Sequence, residues 1–210
     1  MKVISTNTAK PISISWNGKT EQTGIYKFPV TGSIKLEKEA VAGDTIANRK
    51  VHGGSHKACY LFSAKHYPYW KGRYGHLDWN WGMFGENLTL EGMDEGLMRI
   101  GDVYRIGKAL VQVSMPREPC YKLGLRFGSQ QILKEFISFG YPGTYVRVLE
   151  EGIVNTGDPV ILELQSANPL TVRQCFMLYY AKEKPAKVLH IAVENTALPQ
   201  YKREFLRKYL

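Results

Sequence analysis

The chain is poor in cysteine, poor in acid and without any long apolar run. Its three cysteines, Cys59, Cys120 and Cys175, are odd in number and far apart. That spacing fits neither a disulfide framework nor a CxxC zinc pattern, and it points to a reducing compartment. No apolar stretch reaches transmembrane length, and Met1–Ser5 has no signal-peptide core, so a cytoplasmic protein with no membrane partner is expected. The GxGxxG, P-loop, GxSxG and HExxH patterns are all missing, which argues against the nucleotide-binding and hydrolase classes built on them.

What is present is ordinary in bulk. The 210 residues are 44% hydrophobic and 22% charged, enough for one large domain with a real core. The aromatic share is 12%, on the high side, with much of it in residues 60–84. Lysine and arginine number 28 against 19 acids, a net charge of +9 that suits anionic partners such as nucleotides, nucleic acid or a phosphorylated cofactor. Residues 166–210 hold eight basic and three acidic residues, so this shorter part carries +5 of the +9. Short basic helices more often form a solvated face than a nucleic-acid surface, so nucleic acid is the less favoured partner.

Periodicity and punctuation divide the chain in two. Residues 1–165 read as nine or ten short strands with two helices. Asn17-Gly18 marks a hairpin turn over Trp16–Thr20, Thr23–Val30 and Ser33–Leu36 read as strands, and Ala58–Phe62 is an apolar strand. Ser63 is a candidate cap for a helix over Ala64–Tyr74 interrupted by Pro68. Leu88–Leu90, Val103–Ile106, Ala109–Ser114, Thr144–Leu149 and Pro159–Leu164 follow as strands, with a helix over Ser129–Phe139 and a turn over Glu150–Gly157. Such a pattern indicates a mainly β, barrel-like or sandwich-like fold with added helices. From residue 166 to 210, Thr171–Lys182, Lys187–Asn195 and Pro199–Tyr209 read as a three-helix appendage.

The stretch Ser114–Leu123 carries the most chemistry. Two prolines bracket Arg117 and stop just short of Cys120, giving a stiff extended segment that presents a thiol beside Arg117 and Lys122. Nearby cations favour the thiolate, which is both nucleophile and metal ligand; the alternative is a small buried core residue. His52 and His56 stand four apart, but Gly53-Gly54 between them disfavours the helix a zinc pair would need. A Cys120–His52 hydrolase is conceivable, yet no local signature supports it. Lys19, Lys57 and Arg117 could hold a phosphate, and Asn87 a heterocycle, or these could be solvated turns.

The motifs GKTEQTGIYKFPV (residues 18–30), KVHGGSHKA (50–58), FGENLTLEGM (84–93), IGDVYRIG (100–107) and VQVSMPREPCYKL (111–123) together resemble the MOSC domain family, the molybdenum cofactor sulfurase C-terminal domain, in its bacterial YiiM-like branch. The resemblance implies a MOSC β-barrel over residues 1–165 and a three-helix extension over 166–210. It implies a molybdenum cofactor (Mo-molybdopterin) with Cys120 as the metal ligand, a role that suits a soft thiolate on a rigid turn. It places Arg117, Lys19, His52, Lys57 and Asn87 around the cofactor, with His52 also a candidate proton donor. The implied activity is reduction of N-hydroxylated compounds, such as N-hydroxylated bases and hydroxylamines, with electrons from a separate reductase. The alternative is a non-catalytic molybdopterin carrier, or a sulfur carrier using a persulfide on Cys120. Cys59 and Cys175 fall outside the motifs and are expected in the core.

Overall fold

The computed structural model describes residues 1–45 and 53–210. Twelve strands and six α-helices are formed among the described residues. The strands are β1 (Lys2–Thr8), β2 (Ile12–Trp16), β3 (Lys19–Thr23), β4 (Phe28–Pro29), β5 (Ser33–Leu36), β6 (Cys59–Ser63), β7 (Leu88–Glu91), β8 (Val103–Ile106), β9 (Ala109–Pro116), β10 (Thr144–Glu150), β11 (Gly152–Asn155) and β12 (Val160–Leu164). The helices are α1 (Tyr67–Arg73), α2 (Tyr121–Arg126), α3 (Gln131–Phe139), α4 (Val172–Tyr180), α5 (Ala186–Glu194) and α6 (Gln200–Arg207).

Eight strands make one mixed sheet in the order β12-β8-β9-β10-β6-β7-β1-β4, in which β6 and β7 run parallel and the other pairs antiparallel. Period-two alternation sets its inner face. In β9, Ala109, Val111, Val113 and Met115 are buried while Leu110 and Gln112 are half-buried. Val111 and Val113 lie opposite Val148 and Val146 of β10, so the two central strands present one continuous branched apolar surface. The sheet-rich character agrees with the expected mainly β class, but the ladder does not close into a barrel. The start of β1 touches the start of β12 only through a Lys2–Pro159 bridge and bonds such as Val3 N–H to Asp158 O and Val160 N–H to Met1 O, both 2.9 Å.

Two apolar clusters fill the molecule. The larger joins the sheet to the C-terminal helices: Val3, Leu90, Ile106 and Val113 belong to the same cluster as Val172, Leu189, Val193 and Leu206. Backbone bonds tie the two further, Ile100 N–H to Leu170 O and Val172 N–H to Met98 O. The second cluster is aromatic and accounts for the excess in residues 60–84. Phe62, Tyr67, Trp70, Phe84, Phe127 and Phe136 pack together, with Phe62 and Phe84 stacked at 4.2 Å between ring centroids.

Several local expectations change on contact with the structure. Pro68 does not interrupt a helix; it sits in the first turn of α1, where its missing N–H costs nothing. Ser63 does not cap that helix, because its hydroxyl donates to Met93 O at 2.8 Å. The strand expected over Thr23–Val30 is broken between Thr23 and Phe28. The turn expected over Glu150–Gly157 contains β11, which pairs with the distant β5.

Candidate functional site

The extended segment does project from the sheet as its prolines require, but it is shorter than its sequence suggests. Strand β9 runs to Pro116, residues 117–120 are irregular, and Cys120 is already the cap residue of α2, with φ −131° and ψ 168°. Helix α2 is anchored by the β2–β3 hairpin, whose tip has positive φ at Asn17 and Gly18, the two-residue turn the sequence specifies. Trp16 stacks on Tyr121 at 5.2 Å, Tyr121 donates to Glu21, and Lys122 Nζ meets Glu21 Oε2 and Gln22 O at 3.1 Å each. Lys122 is therefore turned toward the hairpin.

Cys120 opens into a cleft of about 100 Å3 shared with Lys57, Asn87 and Arg117, and completed by Lys27, Asp44, Tyr60, Gly85, Glu118 and Tyr145. Three separate elements bring these residues together. Arg117 and Cys120 follow β9. Lys57 ends a short 3₁₀ turn, Ser55–Lys57, entered through Gly54 at φ 92°, a conformation that favours glycine. Ser114 pins this turn to the sheet by donating to His56 O at 2.6 Å. Asn87 follows Gly85, whose φ of +82° is strained for any residue with a Cβ, and a Cβ there would also displace the Ile25 side chain.

The roles inside the cleft differ. Arg117 is only 3% exposed; its guanidinium lies over the rings of Tyr60 and Phe136, 5.6 and 5.4 Å from their centroids. Its Nη1 is buried without a hydrogen-bond partner. Burial opposes the charge of Arg117, but Tyr60, Tyr145 and Cys120 outweigh that and hold its pKa above the ordinary value. A buried cation with an orphaned N–H is the feature an anionic group would satisfy. Burial lowers the pKa of Lys57, with Lys202 adding to the shift and Glu118 and Cys120 opposing it.

Asn87 is already committed. Its Oδ1 accepts from Tyr60 N–H at 3.2 Å, and its Nδ2 donates to Asp44 Oδ2 at 2.8 Å and to Asn7 O at 3.3 Å. It shapes the wall instead of offering a free amide. Asp44 also accepts from Ala9 N–H at 2.8 Å and forms a buried ion pair with Lys27. Glu86, next to Asn87, is fully buried and accepts from Gly82 N–H, Phe84 N–H and Thr89 Oγ1 at 2.9, 3.1 and 2.8 Å, and from Tyr67. This carboxylate folds the loop over residues 82–89 onto itself. Burial raises its pKa, against these hydrogen bonds.

The structure does not bring every expected residue to the cleft. Lys19 begins β3 at the exposed hairpin tip; it is Thr23, at the other end of that strand, and Gly24 after it that reach the cleft. His52 lies outside the described residues. Cys59 and Cys175 are fully buried, and burial raises their thiol pKa values. Lys27 and Asp44 were not singled out from the sequence; nothing local marks their pairing, because it joins residues 17 apart with β4 and β5 between them. Among the described residues no group of three or more His, Cys, Asp or Glu could hold a metal ion unaided. A single accessible thiol, a buried arginine with an unused donor and a lysine do fit a metal delivered within an anionic organic cofactor.

Comparison with known proteins agrees with this architecture. The chain is 36% identical to "Uncharacterized protein YflK" of Bacillus subtilis over 98% of its own length and 93% of that protein. Its fold matches the crystal structure of YiiM from Geobacillus stearothermophilus with a TM-score of 0.83 and 32% identity, covering 100% of this chain and 98% of that one. A protein named "Reductase" from Gibberella moniliformis is 35% identical over 67% of this chain, which spans 25% of that longer protein. Residues 48–161, which hold the 3₁₀ turn, the loop of Glu86 and Asn87 and the Cys120 segment, match the MOSC domain. With Lys57, Asn87, Arg117 and Cys120 of its cleft all inside that match, the chain belongs to the MOSC domain family, as a YiiM-like member.

Proposed function

We propose that this protein is a molybdenum-cofactor-dependent reductase of N-hydroxylated compounds, with Cys120 as the metal ligand. The observation that carries the reading is the pairing, in one cleft, of the Cys120 thiol with the unsatisfied buried Nη1 of Arg117. The family membership and the relative named Reductase support it. Net cleavage of an N–O bond consumes two electrons and two protons, leaving an amine or imine nitrogen and water. When bound, the cofactor supplies the two-electron couple and a site that accepts oxygen; the electrons come from a separate reductase.

The chain's own residues bind, orient and move protons. Arg117, its guanidinium set over Tyr60 and Phe136, would hold an anionic oxygen of the cofactor through its unused Nη1. The Lys27–Asp44–Asn87 network fixes the facing wall. Lys57, with its pKa lowered by burial, gives up a proton more readily than a solvated lysine and serves proton delivery in the cleft. His52 remains a second candidate for that role.

Protein loaded with cofactor and supplied with reduced methyl viologen is expected to convert an amidoxime to the amidine. Cys120→Ala abolishes turnover without changing the circular dichroism spectrum. Full turnover in Cys120→Ala would overturn the ligand role, and no turnover by the loaded native protein would overturn the reductase reading. An added sulfur mass on Cys120 in place of bound molybdenum would identify a sulfur carrier.

A further inference from the structure

The Cys120 cleft has a neighbour. A wider cavity of about 660 Å3 is lined by Glu39, the 3₁₀ turn with His56, and Tyr201 and Lys202 of α6, and it shares Lys57 and Glu118 with the inner cleft. The shared wall carries an ion pair. Lys202 reaches from the C-terminal helix to Glu118, two residues before Cys120. Its ammonium is steadied by the rings of Tyr179 and Tyr201, 4.5 and 5.7 Å away.

We propose that the outer cavity is the antechamber through which reactants reach Cys120, and that Lys202 selects those bearing a carboxylate or phosphate. Glu118 alone would repel an anion at this neck. Lys202 cancels that charge; its own side chain is 14% exposed and held by the two rings, while Glu118 is 38% exposed, so an incoming anion takes the place of the carboxylate at an ammonium that stays where it is. Lys57 stands within the field of Glu118, Lys202 and Cys120 alike, so an anion leaving Lys202 meets a second cation beside the thiol. The basic C-terminal segment thereby gains a role at the site. For the physiological substrate this rests on the reductase reading and narrows it to N-hydroxylated compounds that carry an anionic group. The control of access to Cys120 stands without it.

The test uses cofactor-free full-length protein and the rate of thiol labelling. Cys59 and Cys175 are 1% and 0% exposed, so rapid labelling reports Cys120, and the Cys120→Ala variant lacks that phase. The probes are dianionic dithiobis-nitrobenzoate and neutral dithiodipyridine, the neutral rate serving as internal control for folding. In Lys202→Gln the anionic-to-neutral rate ratio falls about five-fold, the effect of one charge at a few ångströms in a wet mouth. Lys202→Arg keeps the native ratio, and Glu118→Gln raises it. An unchanged ratio in both Lys202→Gln and Glu118→Gln would overturn the proposal. Because no cofactor is present, this result and a failure of N-hydroxy reduction by loaded protein are separate outcomes.

Discussion

Arg117 and Cys120 are separated by two residues, yet their environments are opposite. Arg117 is sealed among aromatic rings with one donor unused, whereas Cys120 is half-buried at the cleft wall. Sequence already drew attention to both, because prolines on either side of a cation and a thiol are a local signal. It could not show that Asn87 is spent on Tyr60, Asp44 and Asn7, since those partners lie across the fold. His56 offers a test at this scale. Its Nδ1 faces Arg147 Nη2 at 2.9 Å, and burial, with Arg147 and Lys57, lowers its pKa below 6.5. Just beneath that pH the unfolded chain binds more protons than the native one, so this stabilisation is present above 6.5 and lost as pH falls. The ring protons of His56 should titrate by NMR with a midpoint below 6.5, and His56→Gln should lose less stability in acid. A midpoint above that value would contradict the placement of Arg147.

Among the elements, the loop over residues 82–89 shows how a buried charge can build structure. Glu86 satisfies two backbone N–H groups and two hydroxyls at the edge of the aromatic cluster. Glu86→Ala strands those donors and is expected to cost about 3 kcal/mol or more in urea unfolding, with weakened near-ultraviolet signals from Trp79 and Trp81. An unchanged midpoint would mean that the loop holds without its carboxylate. The hairpin β2–β3 and helix α3 were legible because Asn17-Gly18 and the apolar spacing of Ile132, Leu133, Phe136 and Ile137 are local signals. Helix α2 was not. It has only six residues and contains Gly124, a poor helix former, retained where a Cβ would fall 2.3 Å from the Gln130 side chain. Strand β11 was equally hidden, since its ladder is with β5, more than a hundred residues away.

Across the whole molecule, the C-terminal helices and the sheet share one apolar cluster. The basic charge of residues 166–210 could be counted from sequence, but not the reach of Lys202 to Glu118 across 84 residues. Among the described residues no helix is long and apolar enough to cross a membrane. The neighbourhood of the cleft thus draws on both parts of the chain: thiol and arginine from the sheet-borne loop, and from the last helix a lysine paired with Glu118 at the wall shared with the outer cavity.

If Cys120 and Arg117 together hold a molybdenum cofactor, as proposed, replacing either one releases it or loosens it. The most direct measurement is molybdenum and pterin content of native, Cys120→Ala and Arg117→Met protein made in a host that synthesises the cofactor, each shown folded by circular dichroism. The expected result is stoichiometric molybdenum and pterin in the native protein, molybdenum lost from Cys120→Ala, and cofactor affinity about ten- to a hundred-fold weaker in Arg117→Met, the value of a charged hydrogen bond. Native levels of molybdenum in Cys120→Ala, or none in the native protein from that host, would contradict it.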